Sequence, residues 1–133
     1  MLKINKRFLI ALLTFTLPFG CVGCASDGGA ITYEQISGAE AKALMDSESG
    51  YIIIDARTQE EYDQGHIPGA ILIPEYEIAD RAEKELPDKD QLILVYCRSG
   101  RRSKIAAEEL VKLGYTNVKD FGGIIDWKYE IVK

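Results

Sequence analysis

In the segment Cys97-Arg98-Ser99-Gly100-Arg101-Arg102-Ser103 a single thiol is followed by three arginines and a glycine. Upstream, Leu92-Ile93-Leu94-Val95-Tyr96 is a continuous apolar run of the buried-strand kind. From Ser103 the pattern turns helical, with Ile105, Ala106, Leu110 and Leu113 on one side and Gly114 placed to cap the C-terminus. A cysteine at such a junction faces the amides of the loop that follows it, and those amides and the helix dipole favour negative charge there. Arg98, Arg101 and Arg102 add permanent positive charge. Surroundings of this kind bring a thiol pKa from about 8.5 into a range of roughly 3.5 to 7.5. The expectation is a thiolate nucleophile at Cys97, with an anion-binding loop from Arg98 through Ser99, Gly100 and Arg101 to Arg102. The bland alternative has Cys97 packing as a small hydrophobe in an ordinary connection. It leaves two arginines at a helix start, each opposing the dipole by about 0.3 to 1 kcal/mol, and a local rule broken without visible compensation marks a site.

Fewer residues elsewhere carry chemistry. Asp55, after Tyr51-Ile52-Ile53-Ile54, and Arg57 are expected to brace the Cys97 loop through an ion pair, with a solvated carboxylate as the alternative. His66 is the only histidine, which makes a Cys-His dyad one reading and a turn residue of His66-Ile67-Pro68-Gly69 the other. Trp127 reads as packing rather than substrate contact.

These residues need a scaffold, and the apolar pattern supplies one. Ile31-Thr32-Tyr33 suits a short strand, and Gly38 to Met45 a helix with Ala41, Leu44 and Met45 apolar. Tyr51 to Ile54 is rich in β-branched residues, like a strand buried on both faces. Thr58-Gln59-Glu60-Glu61 has capping-box form and starts a short helix. Ala70 to Ile73 is a third apolar run, Glu75 to Glu85 a charged helix, and Val118 to Phe121 a further strand before Gly122-Gly123. Strand-like runs alternating with helices, joined by connections too long for hairpins, predict an α/β domain with a mainly parallel sheet. Ligands of such sheets bind outside the carboxyl ends of the strands, where Asp55 and Cys97 both fall.

At 133 residues there is room for one ordinary domain, and 47% hydrophobic with 28% charged residues is a globular composition. The first residues differ. Lys3, Lys6 and Arg7 precede the uncharged run Phe8 to Phe19, the layout of an export signal and too short for the roughly 20 residues of a spanning helix. Cys21 and Cys24 close that run, each preceded by glycine, and resemble a bacterial lipoprotein box, although Pro18 and Cys21 stand where its aliphatic residue usually does. Cys24 leads as the lipid anchor because Ala25 to Gly29 follows it like a tether, and Cys21 is the alternative. A cleaved signal that carries both cysteines away also fits. A Cys21-x-x-Cys24 redox or zinc pair lacks its partner residues. The division expected is residues 1–23 signal, 24–29 tether and 30–133 domain, held on the extracytoplasmic side of a cell envelope. The whole chain carries −5, and all three leader cations lie before residue 24, so the remainder carries −8. Nucleic acid is thereby disfavoured as a partner. No cofactor or metal is called for.

The Cys97 segment resembles the active-site loop of the rhodanese family, whose common form is Cys-Arg-x-Gly-x-Arg followed by Ser or Thr. Three more segments agree in order: Ile54-Asp55-Ala56-Arg57, then Glu61-Tyr62 leading into Gly65 to Ala70, then Gly122-Gly123 with Trp127. The resemblance covers roughly residues 30 to 130, by the positions of those motifs. It implies a five-stranded parallel sheet flanked by helices, and a sulfurtransferase that takes a sulfane sulfur from a small anionic donor such as thiosulfate. The sulfur would sit as a persulfide on Cys97 and pass to a thiol or cyanide. Arg98 and Arg102 would hold the donor, the loop amides would stabilise the outer sulfur, Arg101 occupies a variable position, and His66 belongs to a turn. A sulfur carrier and a non-catalytic binding module are the rival functions. Phosphatases sharing the fold use Cys-x5-Arg, whereas here the arginine comes one place earlier and Ser103 stands in that position.

Overall fold

The computed structural model describes residue 30 and residues 32–133. The signal, tether and lipid-anchor expectations fall on residues outside these. Five strands form one parallel sheet: β1 (Glu34–Gln35), β2 (Ile52–Asp55), β3 (Ile71–Leu72), β4 (Ile93–Cys97) and β5 (Val118–Gly123), in the order β1-β5-β4-β2-β3. The helices are α1 (Gly38–Ser47), α2 (Gln59–Gln64), α3 (Ile78–Glu85) and α4 (Arg101–Lys112), with 3-10 turns at Glu75–Glu77 and Ile124–Asp126.

The central strand shows why the sheet is covered on both sides, since every residue of Ile93-Leu94-Val95-Tyr96-Cys97 is buried. Ile93, Val95 and Cys97 alternate onto the face packed by α3 and α4, with Ile54, Ile78, Leu86, Leu110 and Tyr115. Leu94 and Tyr96 point to the other face, with Ala41 of α1, Ile53, Ile67 and Phe121, against which Trp127 packs. Strand order reverses between β2 and β4, the place where parallel α/β sheets open a crevice at their carboxyl ends. Asp55 and Cys97 are the last residues of those two strands.

Boundaries moved where tertiary pairing decided them. The first described strand forms at Glu34–Gln35, with Thr32 and Tyr33 of the expected run outside it and Ile31 outside the described residues, because pairing with β5 sets it, through the register of Glu34 with Lys119 and an ion pair between those two side chains. The charged helix opens as a 3-10 turn and becomes α-helical only at Ile78, which with Ala82 forms its buried stripe while Tyr76 is 67% exposed. α4 starts at Arg101, two residues ahead of the sequence expectation. The Thr58 capping box forms as expected, and Gly114 ends α4 at φ +94°.

Candidate active site

Cys97 is the last residue of β4 and is 1% exposed. Gly100 turns the chain back toward it at φ +108°, a conformation that suits glycine, and serves as N-cap of α4. This turn brings the Gly100 amide to donate to Cys97 Sγ at 3.0 Å. From the first turn of α4, Ser103 places its hydroxyl 3.5 Å from the same sulfur. Burial pushes the Cys97 thiol up, but the Ser103 hydroxyl and the amides of Ser103, Gly100 and Ser99 outweigh it, and the thiol lies below its ordinary value. Hydrogen bonds, more than the arginines, favour the anionic form of the sulfur.

The loop rests on the end of β5. A Cβ on Gly123 would lie 2.2 Å from the Arg98 carbonyl oxygen and 2.6 Å from Ser99 Cα, so only glycine lets the two backbones meet. The Ile125 amide donates to the same Arg98 carbonyl at 3.3 Å. Gly122, at φ +85°, aims its carbonyl at the Ser103 hydroxyl and its amide at the buried Asp120 carboxylate.

The three arginines divide. Arg98 and Arg101 are exposed, and neither forms an ion pair among the described residues. Arg102 makes two bonds to Glu61, 2.7 and 2.8 Å long. That pair holds the Glu61 carboxyl at about 2, chiefly through the Arg102 hydrogen bond, with the Thr58 amide and hydroxyl assisting. Glu61 therefore both caps α2 and supplies the compensation for a cation at a helix start that sequence alone did not reveal.

Asp55 and Arg57 do form the expected ion pair, buried, with bonds of 2.9 Å from Nε and 2.6 Å from a terminal nitrogen. What they brace differs from the expectation. Arg57 continues to the Gly65 carbonyl at 2.7 Å, and Asp55 accepts from the Tyr96 hydroxyl at 2.6 Å, which itself accepts from the Ile67 amide. The pair thus ties β2 to the 65–67 turn and to the residue before Cys97, and none of these bonds reaches the loop from Arg98 to Arg102. Its carboxylate is not solvated but fully buried, bonded by Arg57 and the Tyr96 hydroxyl. His66 bonds through Nδ1 to the Tyr62 carbonyl at 3.0 Å and stacks on the Tyr62 ring, while the hydrogen bonds of Cys97 Sγ go to Gly100 and Ser103. Trp127 packs against Phe121 and Tyr129, as expected of a core aromatic.

The family model for the rhodanese-like domain matches residues 37–130, most of the chain. The chain belongs to the rhodanese-like family. Thiosulfate sulfurtransferase PspE of Escherichia coli (strain K12) is 45% identical over 73 residues, covering 55% of this chain and 70% of that one. A sulfurtransferase of Allochromatium vinosum is 41% identical over 88 residues, covering 65% and 79%. Among solved structures, a rhodanese with anions from E. coli is similar at a TM-score of 0.59 and 42% identity, over 62% of this chain and 98% of that one. The five-stranded parallel sheet flanked by helices is the rhodanese-like architecture.

Sequence reading singled out the thiol, the arginines and the glycine pair, and the fold brings them into one loop and the strand end beneath it. It missed Glu61 as a partner, Ser103 as a neighbour of the sulfur, and Tyr96 as the link between Asp55 and the 65–67 turn. Glu61 and Arg102 are 41 positions apart, as are Asp55 and Tyr96, and no local pattern announces such a pair.

Proposed function

We propose that this rhodanese-like domain is a sulfurtransferase in which Cys97 carries the sulfur. The Cys97 thiolate attacks the sulfane sulfur of thiosulfate or a similar small anionic donor, forming the Sγ–S bond as the S–S bond of the donor breaks and sulfite leaves with the electron pair. The persulfide then gives its outer sulfur to a thiol or cyanide, and Cys97 returns to thiolate. The observation that carries this reading is the Gly100 amide, 3.0 Å from a buried sulfur, in a loop that closes at Arg102. Exposed Arg98 and Arg101 are the cations free to receive the donor's sulfonate oxygens, while Arg102, tethered by Glu61, walls the loop. A loop one residue shorter than Cys-x5-Arg suits one sulfur atom rather than a phosphoryl group. The names of the E. coli and A. vinosum relatives support the same chemistry.

The test is turnover of thiosulfate and cyanide to thiocyanate by the purified domain with no partner protein present. Cys97→Ser is expected to abolish it, and undiminished thiocyanate formation by that variant would end the proposal. Failure of the wild-type domain alone, with turnover restored by a partner enzyme, would favour the sulfur-carrier reading.

The proposal extends to location. Lys3, Lys6 and Arg7 ahead of Phe8 to Phe19, followed by Cys24 or Cys21, support export and lipid attachment at the envelope. Full-length protein expressed in bacteria should fractionate with membranes and become soluble in the Cys21→Ser, Cys24→Ser double variant. Unchanged fractionation of that variant would contradict lipid anchoring.

A further inference from the structure

Ser103 is fully buried, and its hydroxyl stands among three groups that can accept a hydrogen bond. Cys97 Sγ is at 3.5 Å, the Gly100 carbonyl at 3.1 Å and the Gly122 carbonyl at 3.4 Å. A hydroxyl carries one proton, so it serves one of the three at a time. The state of the sulfur decides which. A thiol donates its own proton to Ser103 Oγ, leaving the Ser103 proton for a carbonyl. A thiolate only accepts, and then the hydroxyl turns toward it. In a persulfide, Sγ is a neutral, twice-bonded sulfur and the charge lies on the outer atom, so the Ser103 proton returns to a carbonyl. The switch leaves the Gly100 carbonyl partnered, because the Lys104 amide donates to it at 3.3 Å throughout.

We propose that Ser103 is a catalytic hydroxyl of the discharge half-reaction, swinging its hydrogen bond onto Cys97 Sγ as the persulfide bond breaks. This rests on the sulfurtransferase reading given above. In that step an acceptor thiolate or cyanide attacks the outer sulfur of the persulfide, forming a new bond to it. The Sγ–S bond breaks, its electron pair goes to Sγ, and the proton of the outer sulfur, where present, leaves with the product. Charge appears on Sγ, 3.5 Å from the hydroxyl. Ser103 keeps its proton and supplies a hydrogen bond that the persulfide does not have.

A donor that stabilises thiolate acts oppositely on the two half-reactions. A thiol of lower pKa leaves faster but attacks less readily. Ser103 therefore favours release of sulfur over its uptake, which a merely structural serine would not do. Its place is fixed independently of substrate by Gly100 on one side and, on the other, by Gly122, whose amide is held by Asp120 at 2.9 Å.

The experiment uses the wild type, Ser103→Ala and Ser103→Thr, at a pH alkaline of the thiol titration in each. Alanine is smaller than serine and the better helix former, so α4 is retained. Each protein is loaded with thiosulfate, freed of excess and mixed with cyanide, with sulfur gain and loss followed by intact mass. Discharge is expected to slow roughly 10- to 100-fold in Ser103→Ala, the worth of one hydrogen bond to a charged group, while uptake is as fast as in the wild type or faster. The ultraviolet thiolate titration should move to higher pH in that variant. Ser103→Thr, which keeps the hydroxyl, should recover most of the discharge rate. Equal slowing of uptake and discharge, wild-type discharge in Ser103→Ala, or a threonine variant as slow as alanine would each overturn the role of Ser103. A wild type that never gains sulfur would overturn the sulfurtransferase reading, and this proposal with it.

Discussion

Around Cys97 a few side chains settle the charge of the site, and each is committed by hydrogen bonds that can be broken singly. The pair of Arg102 with Glu61 is the most informative for stability. Glu61 titrates at about 2 in the fold against an ordinary 4.5, so it contributes stability that is fully present above 4.5 and lost as pH falls toward 2. Glu61→Gln keeps an oxygen for the α2 cap but removes the charge. Near neutral pH it is expected to lower unfolding stability by about 1 to 3 kcal/mol in urea, with the two proteins converging as pH falls toward 2 and the wild-type carboxyl protonates in the fold. A constant difference down to the acid limit would show that the ion pair is not the cause. The residue scale is also where sequence reading had least to work with. Cys97, Arg98 and Arg101 stand in one short segment and announce themselves, whereas Glu61 reads locally as a cap and nothing more.

Between residue and molecule lies the contact of two backbone segments. The loop after β4 sits on the end of β5 because Gly123 has no side chain, and the strand register shifts between Val95 and Cys97 to bring Cys97 opposite Gly123. Gly123→Ala is expected to push the Arg98–Ser99 backbone outward, since the clash is with backbone atoms that no rotamer change relieves. The cost should be about 1 to 3 kcal/mol in unfolding stability, with sulfur transfer reduced at least roughly tenfold because the Gly100 amide moves off the sulfur. Thermal unfolding together with the thiocyanate assay would check it, and a fully active Gly123→Ala would mean that the loop position is immaterial. Elements with strong local signals were legible beforehand: the β-branched run of β2, the capping box of α2 and the glycine after α4. The edge strand β1 was not, because two exposed residues paired to β5 have no hydrophobic pattern to display.

On the scale of the whole molecule, the reversal of strand order sets the ends of β2 and β4 side by side and assigns them different work. β2 delivers a buried Asp55–Arg57 pair that secures the neighbouring turn and Tyr96, and β4 delivers a sulfur among amides. Arg98 and Arg101 are exposed cations of the loop that follows that sulfur, and the proposed donor is a small anion. The central claim is that Cys97 itself accepts the sulfur, and intact mass spectrometry of the purified domain after incubation with thiosulfate tests it most directly. The account predicts a gain of the mass of one sulfur atom, mapped by peptide analysis to Cys97, removed by cyanide and absent in Cys97→Ser. An unchanged mass, or a sulfur retained by Cys97→Ser, would contradict it.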